Sequence, residues 1–159
     1  MVSRIIPVDP FDLIIFGGTG DLAQRKILPG LFRRFCAGQM PNNARIIGAA
    51  RSTLSAEQYK AQIGTAISEF GNVTGNQAKQ LNAFLAQLDY VKIDVMGEDG
   101  WSNLASKVRK NFVNAHYFSV APSLFGDIAK RLNRLQIATP DSRIVVENHS
   151  AGIWKAPKS

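Results

Sequence analysis

The sequence predicts an α/β fold with a doubly wound parallel sheet, and three observations carry that reading. Short apolar runs alternate with stretches of helical periodicity, the pattern of successive βαβ units. The first apolar run ends in a glycine turn that leads directly into a helix start, within residues 13–29. With 159 residues, 45% hydrophobic and 9% aromatic, the chain can bury one real core and is too apolar to be disordered. Given the alternation, the right-handed crossover rule leaves a doubly wound sheet, whose ligands belong outside the carboxyl ends of the strands.

Taken in order, Asp12 to Phe16 is the first strand. The helix after it sets Leu28, Leu31, Phe32 and Phe35 at one-face spacing, and Pro29 is expected to kink it. Arg45 to Ala50 makes the second strand. Ser55 and Gln58 have the spacing of a capping box, opening a helix over Tyr59 to Phe70 with Ile63, Ala66, Ile67 and Phe70 inward. After a Gly-Asn-rich break, Gln77 to Leu88 reads as a helix and Tyr90 to Val95 as a third strand ending at Asp94. A helix around Trp101 to Val108 precedes a fourth strand, Ala115 to Val120, which reaches Ala121 and Pro122. Leu124, Ile128, Leu132 and Leu135 form one helical stripe, and Ser142 to Glu147 would be strand five. No internal repeat or low-complexity segment interrupts the series.

A net charge of +7 and a pI near 9.9 would permit nucleic-acid binding. The basic residues are dispersed, however, and no recognition module accompanies them, so no nucleic-acid partner is expected. Part of the excess is expected to serve anionic ligands. Cys36 is the single cysteine and cannot form an internal disulfide. No charged-then-apolar leader or long apolar run marks export or a membrane span, so the cytoplasm is the default expectation and no membrane partner is expected.

The chemistry concentrates at the glycine turn, Gly17-Gly18-Thr19-Gly20-Asp21-Leu22-Ala23. Glycines there permit backbone dihedrals and close approaches that a side chain would block, and the free amides of the helix turn that follows suit a diphosphate. The other candidates also fall at strand ends: Arg51 and Ser52 after strand two, Asp94 and Val95 after strand three, Ala121 and Pro122 after strand four. A sheet that binds NAD usually ends its second strand in an acidic residue for the ribose 2'-hydroxyl. Here a guanidinium and a hydroxyl stand instead, which fits a 2'-phosphate and predicts NADP over NAD. No metal site is expected.

Gly20-Asp21-Leu22-Ala23-x-Arg25-Lys26-Ile27-Leu28-Pro29 resembles the coenzyme fingerprint of glucose-6-phosphate dehydrogenases. Weaker matches follow in the family's order: Gly48-x-x-Arg51-Ser52, Tyr117-Phe118-x-x-Ala121-Pro122 and Arg143-Ile144-Val145-Val146-Glu147. The resemblance runs from about Asp12 to Glu147. It implies a Rossmann-like coenzyme domain over residues 1–147, with NADP(H) as partner and Lys26 reaching toward coenzyme and substrate together. It also implies hydride transfer from C1 of glucose 6-phosphate to the nicotinamide, giving the 6-phosphogluconolactone of the pentose phosphate pathway.

In that family, a histidine held by an acidic partner removes the hydroxyl proton, and it belongs to a later α+β substrate domain that also builds the dimer interface. That domain is expected to be missing, leaving an incomplete sheet, no catalytic residue and a fragment inactive by itself. Glucose 6-phosphate and a homo-oligomeric state are expected of the full-length parent. His116, inside a predicted strand, reads as structural.

After Glu147 the pattern breaks. The family continues Glu-Lys-Pro-Phe-Gly-Arg-Asp-Leu, whereas this chain reads Glu147-Asn148-His149-Ser150-Ala151-Gly152-Ile153-Trp154. Removing one adenine from the lysine codon of GAA AAA CCA TTC GGC CGG GAT CTG G gives GAA AAC CAT TCG GCC GGG ATC TGG, which translates to the residues found. Residues 148–159 are therefore expected to be an out-of-frame or disordered tail, and rereading the locus tests it.

Two other readings compete. NADP-dependent short-chain reductases and epimerases share a similar glycine turn, but none of Tyr59, Tyr90 or Tyr117 has the lysine four places on that their Tyr-x-x-x-Lys pair needs. A non-catalytic NADP-binding sensor or interaction module is the alternative function.

Overall fold

The computed structural model describes residues 10–41 and 43–146. Five strands form one sheet: β1 (Phe11–Phe16), β2 (Arg45–Ala50), β3 (Leu88–Lys92), β4 (Val113–Phe118) and β5 (Arg143–Val146). Their order is β3-β2-β1-β4-β5, and every pairing is parallel. The chain thus runs outward from β1 to β3, then crosses back to lay β4 on the other side of β1. That reversal creates a switch point between β1 and β4, where two adjacent loops diverge and open a crevice.

Helices cover both faces. One layer holds α1 (Leu28–Cys36) and α2 (Ala56–Phe70), the latter joined to β3 through the short α3 (Gly75–Ala78) and α4 (Leu81–Leu85). The other holds α5 (Trp101–Lys107) and α6 (Phe125–Arg134). Alternation along β1 serves both: Ile14 and Phe16 join Trp101, Leu104, Ile128 and Leu132 in one core, while Leu13 and Ile15 join Leu28, Phe32, Tyr59, Ile63 and Ile67 in the other. At the amino-terminal end of β1, the Asp12 carboxylate is fully buried and accepts hydrogen bonds from the Arg109 backbone N–H (2.7 Å) and Nε (2.8 Å). This ion pair ties the start of the central strand to the segment after α5.

Several elements depart from their sequence expectation. The proline kink takes the form of a π-turn, Ala23–Ile27, immediately ahead of Pro29. Proline has no N–H to give the carbonyl four residues back, and its ring crowds that carbonyl, so a widened turn relieves both. The expected helix over 77–88 is divided into α3 and α4, and Leu88 opens β3. The third strand stops at Lys92 rather than running to Val95, and the fourth spans 113–118 rather than 115–120. Phe70 and Leu135, expected inward, are exposed, Phe70 lying 4.9 Å beneath the Arg25 guanidinium. The domain boundary after Glu147 and the tail reading of residues 148–159 lie outside the described residues.

Candidate functional site

β1 delivers the chain to the switch point and Gly17 turns it. Gly17 adopts φ +81°, and a Cβ there would lie 2.1 Å from the Ser119 carbonyl oxygen, so both the dihedral and the neighbouring β4 loop demand glycine. Its N–H donates to the Ala49 carbonyl (2.8 Å), and Ser119 N–H donates to the Phe16 carbonyl (2.9 Å), which binds the turn between β2 and β4. Gly18 is buried, with room for a Cβ denied by Gly48 Cα and by the Tyr59 hydroxyl, each at 2.9 Å. Gly20 closes the bend by donating to Gly17 O (2.9 Å), and a Cβ on it would meet only that oxygen, at 3.2 Å. The space above Gly20 is open.

What the turn offers that space is N–H groups. Among the described residues, the amides of Thr19, Asp21 and Leu22 have no acceptor in the turn, and they precede a helical run of Ala23 to Cys36. Such unpaired amides at a helix start attract anionic oxygens. Asp21 carries a negative charge into this region, and Arg25 Nε lies 2.6 Å from its Oδ1, offsetting it at the surface. Gln24 Nε2 donates to the Thr19 carbonyl (2.8 Å), fixing the bend from the helix side.

Two tyrosines that sequence reasoning missed underlie the site. Tyr59, fully buried on α2, donates from its hydroxyl to the Gly18 carbonyl (2.9 Å). Its ring lies over bare Gly48, where a Cβ would come within 2.4 Å, and 5.0 Å from the ring of Tyr90 on β3. The Tyr90 hydroxyl lies 2.6 Å from the Ser52 carbonyl oxygen and 3.1 Å from that of Ala50. Burial pushes both phenols above their ordinary pKa, so each keeps its proton as a donor. The available signal was Tyr59's helical spacing from Ile63 and Ile67, which sets it on the inward face.

The structure brings Gly17, Gly18, Thr19, Gly20, Asp21, Leu22 and Ala23 together with Arg51 and Ser52, the latter two exposed just past the end of β2 beside this turn. Ala121 and Pro122 are exposed past the end of β4 and begin a 3-10 turn. Val95 is half-buried against the core of the α5/α6 layer. Asp94 serves its own loop: Oδ1 accepts from Met96 N–H (3.0 Å), and its carbonyl accepts from Trp101 Nε1 (3.0 Å). Lys26 stands on the π-turn, exposed, along a surface groove of about 650 Å³ that also touches Tyr117 and Val145. His116 is fully buried with Nε2 2.7 Å from Asn114 Oδ1, and burial pulls its pKa down to about 3. A neutral imidazole inside the sheet has no route to a substrate. Among the described residues, no group of three or more His, Cys, Asp or Glu could hold a metal, and no helix is long and apolar enough to cross a membrane.

Comparison with known proteins bears on this arrangement. The family described as "Glucose-6-phosphate dehydrogenase, NAD binding domain" matches residues 14–149. The chain belongs to the glucose-6-phosphate dehydrogenase family. The glucose-6-phosphate 1-dehydrogenase of Rhizobium meliloti is 40% identical over 149 residues, covering 92% of this chain and 30% of that protein. That of Gluconobacter oxydans is 43% identical over 146 residues, covering 88% and 29%. The crystal structure of glucose-6-phosphate 1-dehydrogenase from Mycobacterium avium superposes with a TM-score of 0.77 at 26% identity, covering 87% of this chain and 29% of that one. The chain thus spans about 30% of the length of its glucose-6-phosphate dehydrogenase relatives, and its described residues form a Rossmann-like dinucleotide-binding sheet of an oxidoreductase family.

Proposed function

We propose that this chain is the coenzyme-binding portion of a glucose-6-phosphate dehydrogenase and that it takes NADP at the Gly17–Ala23 turn. The observation that carries the reading is the open space above Gly20 with unpaired amides facing a helix start, flanked by Arg51 at the end of β2. The turn fits a diphosphate: any side chain on Gly20 would occupy the space the phosphates need. Thr19, Asp21 and Leu22 amides hold the phosphate oxygens, and Arg51 with Ser52 holds the 2'-phosphate. Asp94, Val95, Ala121 and Pro122 line the crevice along which the rest of the dinucleotide lies.

When bound, the nicotinamide supplies the hydride acceptor for oxidation of C1 of glucose 6-phosphate to the lactone. Lys26 is assigned, on the family fingerprint, to steady coenzyme and substrate phosphates with its ammonium. The proton-accepting base is assigned to the remainder of a protein of the relatives' length, which would also carry the oligomer interface, so this chain by itself binds coenzyme without oxidising sugar.

NADPH fluorescence titration of the chain and of Arg51→Ala tests the coenzyme reading. Loss of a charge-assisted bidentate contact costs about 1.5–3 kcal/mol, a fall in affinity of about tenfold to a hundredfold, while NADH binding stays unchanged. Equal affinity of both proteins for NADPH overturns the role of Arg51. Steady NADPH production from glucose 6-phosphate and NADP by the pure chain overturns its assigned inactivity.

A further inference from the structure

We infer that Tyr59 and Tyr90 are positioning residues for the dinucleotide, Tyr59 setting the diphosphate end and Tyr90 the 2'-phosphate end; the inference rests on the coenzyme reading above. A trans peptide points its oxygen and its hydrogen to opposite sides. By donating to the Gly18 carbonyl from the buried side, Tyr59 aims the Thr19 N–H outward, toward the open space above the turn. Gln24 holds the next carbonyl, that of Thr19, so the Gly18-Thr19-Gly20 backbone is fixed on two successive peptides. A glycine bend would otherwise sample many conformations, and each would have to be frozen on binding.

Tyr90 does the equivalent for Arg51. Its hydroxyl lies within hydrogen-bond reach of the carbonyls of Ala50 and Ser52, the residues on either side of Arg51. The loop that carries the guanidinium is thereby fastened to β3 while the side chain stays free in solvent. The two rings lie tilted by 34° with centroids 5.0 Å apart beneath the site, and only because Gly48 lacks a side chain can Tyr59 pass under β2 to reach the glycine turn. Both tyrosines are buried and act through the backbone carbonyls they reach.

Three ligands separate the two roles: ADP, which has the diphosphate and no 2'-phosphate; adenosine 2'-monophosphate, which has the 2'-phosphate and nothing on the 5' side; and NADPH, which has both. Each is titrated calorimetrically against the native chain, Tyr59→Phe and Tyr90→Phe. Removing a single hydroxyl leaves ring packing in place, and thermal melts check that both variants fold. Tyr59→Phe is expected to weaken ADP and NADPH by about threefold to tenfold, the effect of one neutral hydrogen bond, and to leave the 2'-monophosphate within about twofold. Tyr90→Phe is expected to weaken the 2'-monophosphate and NADPH similarly and to leave ADP within about twofold. In amide spectra, the Thr19 resonance should shift on ADP addition in the native chain and respond less in Tyr59→Phe.

Unchanged affinities in both variants, or a uniform loss across all three ligands as a merely structural role would give, overturns the inference while leaving the coenzyme reading intact. A native chain that binds none of the three overturns that reading and this one with it.

Discussion

His116 shows what a buried imidazole does for this protein. It sits inside β4 with Nε2 on Asn114 and with Nδ1 facing no polar partner, and burial lowers its pKa from 6.5 to about 3. Between those values, the unfolded chain binds a proton that the folded chain refuses, so this group's contribution to stability is full above pH 6.5 and is lost as the pH falls toward 3. The slope is at most about 1.4 kcal/mol per pH unit. Urea titrations of the native chain and His116→Gln should show a flatter acid decline in the variant between about pH 6 and about pH 4. Parallel declines would mean that the imidazole protonates in place. Asp12, at the amino-terminal end of the central strand, is the opposite case, a buried carboxylate whose hydrogen bonds are completed by Arg109 and a backbone N–H.

At the scale of elements, α2 has the most explicit local code. Ser55 Oγ accepts from Gln58 N–H at 3.1 Å, and Gln58 Oε1 accepts from Ser55 N–H at 2.8 Å, so the capping box expected from sequence is reciprocal. Ser55→Ala should cost about 1 kcal/mol in urea unfolding. Because α2 carries Tyr59, a loss well above that would mean the cap also holds the packing beneath the glycine turn.

β1, β2 and the glycine turn were legible because their signals are local: an apolar run bounded by a turn whose dihedrals only glycine accepts. The far ends of β3 and β4 were not. Ile93, Val95 and Val120 look like strand residues, and Ile93 is buried, but the partner strands stop at Ala50 and Phe16, so the sheet ends before the apolar pattern does. The split between α3 and α4 was hidden for a related reason. Thr74 and Gln77 form their own capping box, and one short turn ends before Leu81 and Phe84 begin to pack. In the site, Arg51 and the glycines were readable from residue type and position. Tyr59 and Tyr90 were not, because their hydroxyls reach carbonyls 41 and 38 residues away.

For the whole molecule, the sheet joins two cores into one cooperative unit. Ile14 and Ile15, adjacent in sequence, belong to opposite layers, so neither layer can open without stripping β1 of its packing. Trp101 reports the α5/α6 layer, and all three tyrosines report the other. With Trp154→Phe to leave a single tryptophan, unfolding followed by Trp101 fluorescence and by the near-ultraviolet tyrosine signal should give coincident midpoints. Separated transitions would show that the layers unfold independently.

The strand order also governs how the protein emerges during synthesis. β1 is made first, yet its second neighbour, β4, lies about a hundred residues downstream at 113–118. Until Phe118 has left the ribosome, the central strand has one bare edge, with its amides and carbonyls unpaired on that side. A nascent chain of this design must therefore be shielded, or grow faster than it self-associates, until β4 has emerged.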